Sequence, residues 1–282
     1  MSTCHVCFRH CEIPEGGIGA CGARTNRSGH IVAGNYARLT ALALDPIEKK
    51  PLRRFHPGSL ILSVGSYGCN LRCPFCQNHS ISWSREALHL ATAGTKHVSP
   101  EALVDLAKQL QEKGNIGLAF TYNEPLVGYE YVRDAAELAH EKGLVTVMVT
   151  NGTASLPVLE ELSPHIDAMN IDLKGFTEAY YRDVLGGNLT MVKDFVQEAA
   201  RCCHVELTTL IVPGENDTAE EMRALCQWVA GLDDGEGAIP LHISRFFPQF
   251  HMMDREATPV EQIYALTAVA KEYLEYVYPG NV

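Results

Sequence analysis

From residue 60 onward, short apolar runs alternate with amphipathic stretches, and no other feature of the chain constrains its fold so strongly. The runs at 60–66, 117–122, 145–150, 168–173, 205–212 and 241–246 have the length and composition of buried strands. The stretches at 100–113, 126–142, 156–162, 189–201, 218–232 and 259–276 are read as helices. Boundary residues agree with this reading. Ser99-Pro100-Glu101 fits an N-cap with proline at the first helical position, and Thr218-Ala219-Glu220-Glu221 fits a capping box. Gly114 and Gly143 follow basic last turns, as C-caps do. Strands that alternate with helices predict a parallel sheet with right-handed crossovers. Six such units predict an α/β fold, a partial (β/α)6 barrel of the TIM type, with its site at the C-terminal ends of the strands. An open doubly wound sheet competes with it, and periodicity alone does not separate the two. The expected division is 1–59, a cysteine-rich N-terminal extension and a connecting arm (31–59), and 60–282, the partial barrel.

Composition narrows the function classes. Apolar residues make up 46% of the 282 and charged residues 20%, ordinary for a soluble globular protein. A net charge of −11 with no Lys/Arg block argues against nucleic acid as a partner. No apolar run approaches the roughly 20 residues that span a bilayer, and Met1-Ser2-Thr3-Cys4-His5 does not open a signal peptide. The expectation is a cytoplasmic protein with no membrane partner. Seven of the ten cysteines fall in two tight groups, which favours metal ligation over disulfides. Cys202, Cys203 and Cys226 stand apart and are read as buried or partly buried structural thiols.

The first group, Cys69-Asn70-Leu71-Arg72-Cys73-Pro74-Phe75-Cys76, directly follows the run at 60–66. Four thiolates would close an iron–sulfur cube, whereas three leave one iron open to a small molecule. This loop resembles the cluster-binding loop of the radical S-adenosylmethionine (SAM) enzymes, in its place after the first strand and in Phe75 before the last cysteine. Within that family the likeness is to the pyruvate formate-lyase activating enzyme group. More narrowly, the chain looks like the radical enzyme of the AmmeMemoRadiSam system. That narrower likeness rests on Asp45-Pro46-Ile47-Glu48-Lys49-Lys50-Pro51-Leu52, His56-Pro57-Gly58-Ser59, Gly68-Cys69-Asn70-Leu71-Arg72-Cys73 and Phe75-Cys76-Gln77-Asn78. The resemblance implies a [4Fe–4S] cluster on Cys69, Cys73 and Cys76, with SAM chelating the open iron. Reductive cleavage of SAM then gives methionine and a 5′-deoxyadenosyl radical, which takes hydrogen from a substrate.

The same resemblance places SAM contacts at the strand ends. Asn123-Glu124-Pro125 stands where the family has a Gly-Gly-Glu-Pro-like turn, with Tyr122 and Asn123 in place of the glycines. Glu124 is then an acceptor for the SAM amino group; the plainer reading of the same residues is a helix-start turn. Thr150 and Asn151 resemble residues lining the SAM site, and so do Asp172 and Lys174, which share one strand face. As an alternative, Asp172 and Lys174 form only a structural ion pair. Val149 stands where the activating-enzyme group has an aspartate that helps hold a monovalent cation. Thr209, His242 and Arg245 complete the candidate set on the fifth and sixth strands.

The second group, Cys4, Cys7, Cys11 and Cys21, lies in a glycine-rich segment too short for a core, so a metal would supply most of its folding free energy. Zinc and an auxiliary [4Fe–4S] cluster both accept four thiolates. The functional expectation is a radical SAM enzyme acting on a protein or peptide-like substrate. An electron donor such as flavodoxin or ferredoxin is implied, as are Memo-like or AMMECR-like proteins as partners. A glycyl-radical-enzyme activase is the alternative, and a non-catalytic iron–sulfur carrier or scaffold is the alternative of another class.

Overall fold

The computed structural model describes residues 1–84, 89, 92–232 and 238–282. Its centre is one sheet of eight strands: β1 (Ala41–Pro46), β2 (Leu60–Gly65), β3 (Asn115–Phe120), β4 (Val145–Thr150), β5 (Ala168–Asp172), β6 (His204–Ile211), β7 (Leu241–Arg245) and β8 (Val277–Gly280). Neighbours in the sheet are neighbours in sequence throughout. A doubly wound sheet reverses its order at a switch point, so this monotonic order selects the partial barrel. β1 runs antiparallel to β2, and every later pair is parallel.

All six strands read from the sequence are present, with ends shifted by a residue or two. The crossovers carry α1 (Pro100–Gln109), α2 (Tyr129–Glu141), α3 (Leu156–Leu162), α4 (Leu189–Cys202) and α5 (Ala219–Ala230), and α6 (Val260–Ala270) precedes β8. Ser99 caps α1 by accepting from the Ala102 N–H at 3.3 Å. The capping box of α5 is half made. Thr218 Oγ1 accepts from the Glu221 N–H at 3.2 Å, but the Glu221 carboxylate turns away to the Phe176 N–H at 2.6 Å. The last helix stops at Ala270, short of the expected residue 276, because Val277-Tyr278 leaves it to pair with β7 as the eighth strand.

Alternation along the strands divides the core in two. Leu62, Val64, Leu118, Phe120, Met148, Met169, Ile171, Leu207 and Ile243 face the helices. Ile61, Ala119, Val147 and Ala168 face inward and meet Ile47 and Leu52. Those last two belong to the segment read as a connecting arm. It forms the edge strand β1 and then crosses the N-terminal end of the barrel as a plug. Pro51 O accepts from Asn170 Nδ2 at 2.8 Å, and the Arg53 and Arg54 N–H groups donate to the Glu206 carboxylate at 3.0 and 2.7 Å.

Glu206, fully buried, also meets His204 Nε2 at 3.1 Å and His242 Nε2 at 2.7 Å. Burial opposes its ionisation, yet the histidines and the two N–H groups outweigh that and hold its pKa at about 2. Its folded-state pKa lies below the unfolded value, so its stabilisation is present above about pH 4.5 and is lost as pH falls toward 2. Glu206→Gln is expected to cost about 3–5 kcal/mol, because two N–H donors lose a charged acceptor inside the barrel. Urea denaturation at pH 7 measures this, and the variant's loss of stability between pH 4.5 and 2 should be shallower than the parent's.

The N-terminal segment is a set of small ribbons, with Ser2–Thr3 paired to Glu12–Ile13 and Arg24–Arg27 to His30–Ala33. It docks at the opposite end of the barrel from the plug: the Ser155 N–H, just past β4, donates to Val6 O at 2.8 Å. Among the described residues no helix is long and apolar enough to cross a membrane.

Candidate active site

The C-terminal ends of the strands surround a cavity of about 310 Å³. Cys69, Cys73 and Cys76 line it, together with Asn123, Glu124, Thr150, Asn151, Asp172 and Lys174. The cysteine loop is shaped by its backbone and by its neighbours. Gly68 turns it at a φ of +94°, where a β-carbon would stand 2.8 Å from Ala23 Cβ and Cys21 O. The Leu71 N–H points at Cys69 Sγ at 3.4 Å, and Trp83 Nε1 donates to Cys73 O at 3.3 Å. Phe75 is buried with its ring edge-on to Phe246.

The donor set fits an iron–sulfur cluster. Burial raises all three thiols, that of Cys73 to about 12, and Cys69 is raised further by Glu124 and Cys73. Lys174 opposes this at Cys73 and Cys76. Without a metal these sulfurs keep their protons, so loading the site releases protons and is favoured by higher pH. Among the described residues no three His, Cys, Asp or Glu side chains converge on a single ion. The three thiols border a space, and they do not meet at a point.

The turn after β3 joins the cysteine loop directly. The Ser66 N–H donates to Asn123 Oδ1 at 2.8 Å, while Asn123 Nδ2 and the Glu124 N–H both donate to Gly68 O, at 3.2 and 3.1 Å. Tyr122 takes the left-handed φ of +73° that glycine would take more cheaply. Its hydroxyl is anchored on Asp45 Oδ2 at 2.9 Å, and the missing β-carbon of Gly65 makes room for its ring.

Glu124 is buried and accepts three hydrogen bonds: Leu126 N–H at 3.0 Å and Thr150 Oγ1 at 2.6 Å on Oε1, and Asn151 N–H at 2.8 Å on Oε2. The helix-start reading is therefore true of one oxygen. A carboxylate has about four acceptor positions, which leaves one on Oε2. Burial raises its pKa to about 7, against the pull of those three donors.

β5 contributes Asp172, whose Oδ2 accepts from Lys174 Nζ at 2.8 Å. Burial disfavours the lysine ammonium, but Asp172 and Cys73 more than offset it and its pKa is raised well above normal. The pair forms the ion pair read as its plainer alternative, and it also lines the cavity.

Thr209, His242 and Arg245 do not line the cavity. Strand alternation turns Thr209 outward, where its hydroxyl donates to Leu173 O at 2.7 Å, and leaves Thr208 and Leu210 facing in. Arg245 likewise points out to Thr258 O, and Ser244 takes the inward place. His242 does point inward, but one step nearer the plug, where Glu206 binds it. Inward parity shared with Asn170 and Asp172 could have identified Thr208 and Ser244. Asn70 stands in the cysteine-loop motif with no role assigned to it from sequence, and it is fully buried between Thr153 O at 2.6 Å and Asn151 Nδ2 at 3.0 Å.

Comparison with known proteins agrees with this geometry. The profile of the Radical SAM superfamily matches residues 63–229. An uncharacterized protein of Methanocaldococcus jannaschii is 37% identical over 281 residues, 99% of this chain and 81% of its own. The pyruvate formate-lyase-activating enzyme of Clostridium pasteurianum is 26% identical over 74% of this chain and 89% of its own. Among solved structures, a domain of the pyruvate-formate lyase-activating enzyme from Bacteroides vulgatus superposes with a TM-score of 0.52 at 14% identity. That match covers 58% of this chain and 99% of that one, and it bears on the fold alone.

Proposed function

The chain belongs to the radical SAM superfamily, enzymes that use a [4Fe–4S] cluster and SAM, and from that premise we propose that Cys69, Cys73 and Cys76 hold the cluster and that the enzyme abstracts hydrogen from a protein or peptide-like substrate of the AmmeMemoRadiSam type. The observation that carries this reading is the convergence of the three thiols, Glu124, Asn151 and the Asp172–Lys174 pair on one cavity. A cluster bound there supplies the electron that breaks the sulfonium C–S bond of SAM.

The chain's own residues then have distinct tasks. The free position on Glu124 Oε2 accepts from the SAM amino group, and the Lys174 ammonium attracts its carboxylate. Asn151 bridges Asn70 Oδ1 at 3.0 Å and Cys69 Sγ at 3.7 Å, and so holds the end of β4 against the cysteine loop. Val149 lines the cavity where the activating-enzyme group has an aspartate, so this chain offers no carboxylate for a monovalent cation at that position.

A glycyl-radical-enzyme activase is the second reading, favoured by the relative from Clostridium pasteurianum. Anaerobic reconstitution and reduction with SAM should yield 5′-deoxyadenosine. Adding Memo-like and AMMECR-like proteins in one arm, and a glycyl-radical enzyme in another, separates the substrates. Mass spectrometry for a modification, and electron paramagnetic resonance for a glycyl radical, report which arm responds. Absence of 5′-deoxyadenosine with the cluster intact and reduced would overturn the enzymatic reading of this site.

A further inference from the structure

We propose that Cys4, Cys7, Cys11 and Cys21 hold a second iron–sulfur cluster, closed by four thiolates, which passes electrons to the cluster at Cys69, Cys73 and Cys76. The relay rests on the reading of that loop given above, whereas the second cluster does not.

All four cysteines line one small cavity, walled on its apolar side by Ile13 and Val127. Cys4, Cys7 and Cys21 are buried and Cys11 is half-buried. A single zinc and a four-iron cluster both accept four thiolates, and what favours the cluster is the direct contact between this cavity and the Cys69 loop.

The surroundings suit thiolates. The Arg24 N–H donates to Cys21 Sγ at 3.3 Å. Donors of this sort fix sulfur ligands and tune cluster potential. Arg9 and Arg24 also line the cavity, with Arg24 paired to the Glu130 carboxylate at 2.6 Å. Arg9 is held by Asn70 O at 2.9 Å and Gly186 O at 2.6 Å.

Position argues for an electron relay. The Cys69 N–H donates to Cys21 O at 3.0 Å, so a ligand of each site shares one backbone hydrogen bond. A second link runs from Arg9, which lines the N-terminal cavity, to Asn70 O at 2.9 Å, and from Asn70 Oδ1 to Asn151, whose Nδ2 stands 3.7 Å from Cys69 Sγ. Arg72, inside the radical SAM loop, donates to Ala20 O, beside Cys21. Electron tunnelling weakens steeply with distance, and here the two sites abut. In the relay, a protein donor of the flavodoxin or ferredoxin class gives one electron to the N-terminal cluster. That cluster is oxidised again as the Cys69 cluster is reduced, with no bond made or broken. Zinc, which has no redox chemistry, cannot do this.

The first test uses the full chain with Cys69, Cys73 and Cys76 all changed to Ala, reconstituted anaerobically with iron and sulfide in the presence of zinc. About four irons and four sulfides per chain are expected, with a paramagnetic signal on reduction that SAM does not alter. Zinc, or no metal, in that protein would overturn the second cluster whatever the Cys69 loop does. The second test compares the parent with Cys4→Ala/Cys11→Ala, each carrying an intact Cys69 cluster. With dithionite, a small reductant that reaches the Cys69 cluster directly, the rate of 5′-deoxyadenosine formation per Cys69 cluster sets the reference for each protein. With reduced flavodoxin as the sole donor, the variant should lose most of that rate. Equal loss with both reductants, or no loss with either, would overturn the relay.

Discussion

Cys73→Ala should form no 5′-deoxyadenosine above background when the reconstituted, reduced protein is given SAM. Cys69→Ala and Cys76→Ala should behave alike, because the cluster reading has no spare ligand. Three thiolates hold three irons, and a chain with two leaves a cluster both loosely anchored and open at a second iron. The apo fold should barely notice the change. The loop is shaped by Gly68, by the Asn123 contacts to Gly68 O and the Ser66 N–H, and by Trp83 on Cys73 O, none of which uses a sulfur; only Cys69 Sγ adds contacts, from the Leu71 N–H and Asn151 Nδ2. Thermal unfolding of apo Cys73→Ala and Cys76→Ala should therefore stay close to that of the parent, with Cys69→Ala somewhat lower, while iron content and product formation collapse. Cys202→Ser is the control: unlike Cys203 and Cys226, and against the expectation of burial, Cys202 is exposed at the end of α4 and should leave both readouts unchanged. Product formation by the three alanine variants would remove the cluster from this loop.

Glu124→Gln should weaken SAM binding by about 1.5–3 kcal/mol, about ten- to a hundredfold, the worth of a hydrogen bond to a charged group. The amide is a poor substitute here because the carboxylate accepts on both oxygens. Oε1 takes Leu126 N–H and Thr150 Oγ1, and Oε2 takes Asn151 N–H. An amide nitrogen at the Oε2 position would face the Asn151 N–H donor to donor, and would offer nothing to the SAM amino group.

The pH dependence has a definite sign. The folded-state pKa of about 7 lies above the unfolded value near 4.5, so the native apoprotein holds this proton more tightly. The contribution to stability is full below 4.5 and falls as pH rises to about 7. SAM demands the opposite, since only the carboxylate accepts from its amino group. Affinity for SAM should thus weaken in the parent as pH drops through about 7 and should lose that slope in Glu124→Gln. Equilibrium dialysis of the reconstituted proteins measures both. An unchanged affinity in the variant would move Glu124 from SAM contact to loop support alone.

The fold was legible wherever one residue type dominated a local pattern. Six strands and six helices followed from apolar periodicity, and the N-caps of α1 and α5 from Ser99 and Thr218. The edge strands were harder. Ala41–Pro46 and Val277–Gly280 are short and only half-buried, so burial wrote little periodicity into them. The plug carries no helical or strand period at all. Its role depends on Glu206, more than 150 residues away, receiving the Arg53 and Arg54 N–H groups.

For the site, sequence by itself determined the chemistry on offer. The spacing of Cys69, Cys73 and Cys76 after a strand, and of Cys4, Cys7, Cys11 and Cys21 before it, is local information that a loop retains in any fold. Only the tertiary structure decided which other residues share that chemistry. It turned Thr208 and Ser244 into the cavity and Thr209 and Arg245 out of it, because a strand sends successive side chains to opposite faces. It gave Glu124 three donors drawn from two segments, spent His242 on Glu206, and set the two cysteine groups side by side through the Cys69 N–H on Cys21 O. Such pairings are settled by burial, where a polar group must find a partner among whatever the packing brings near.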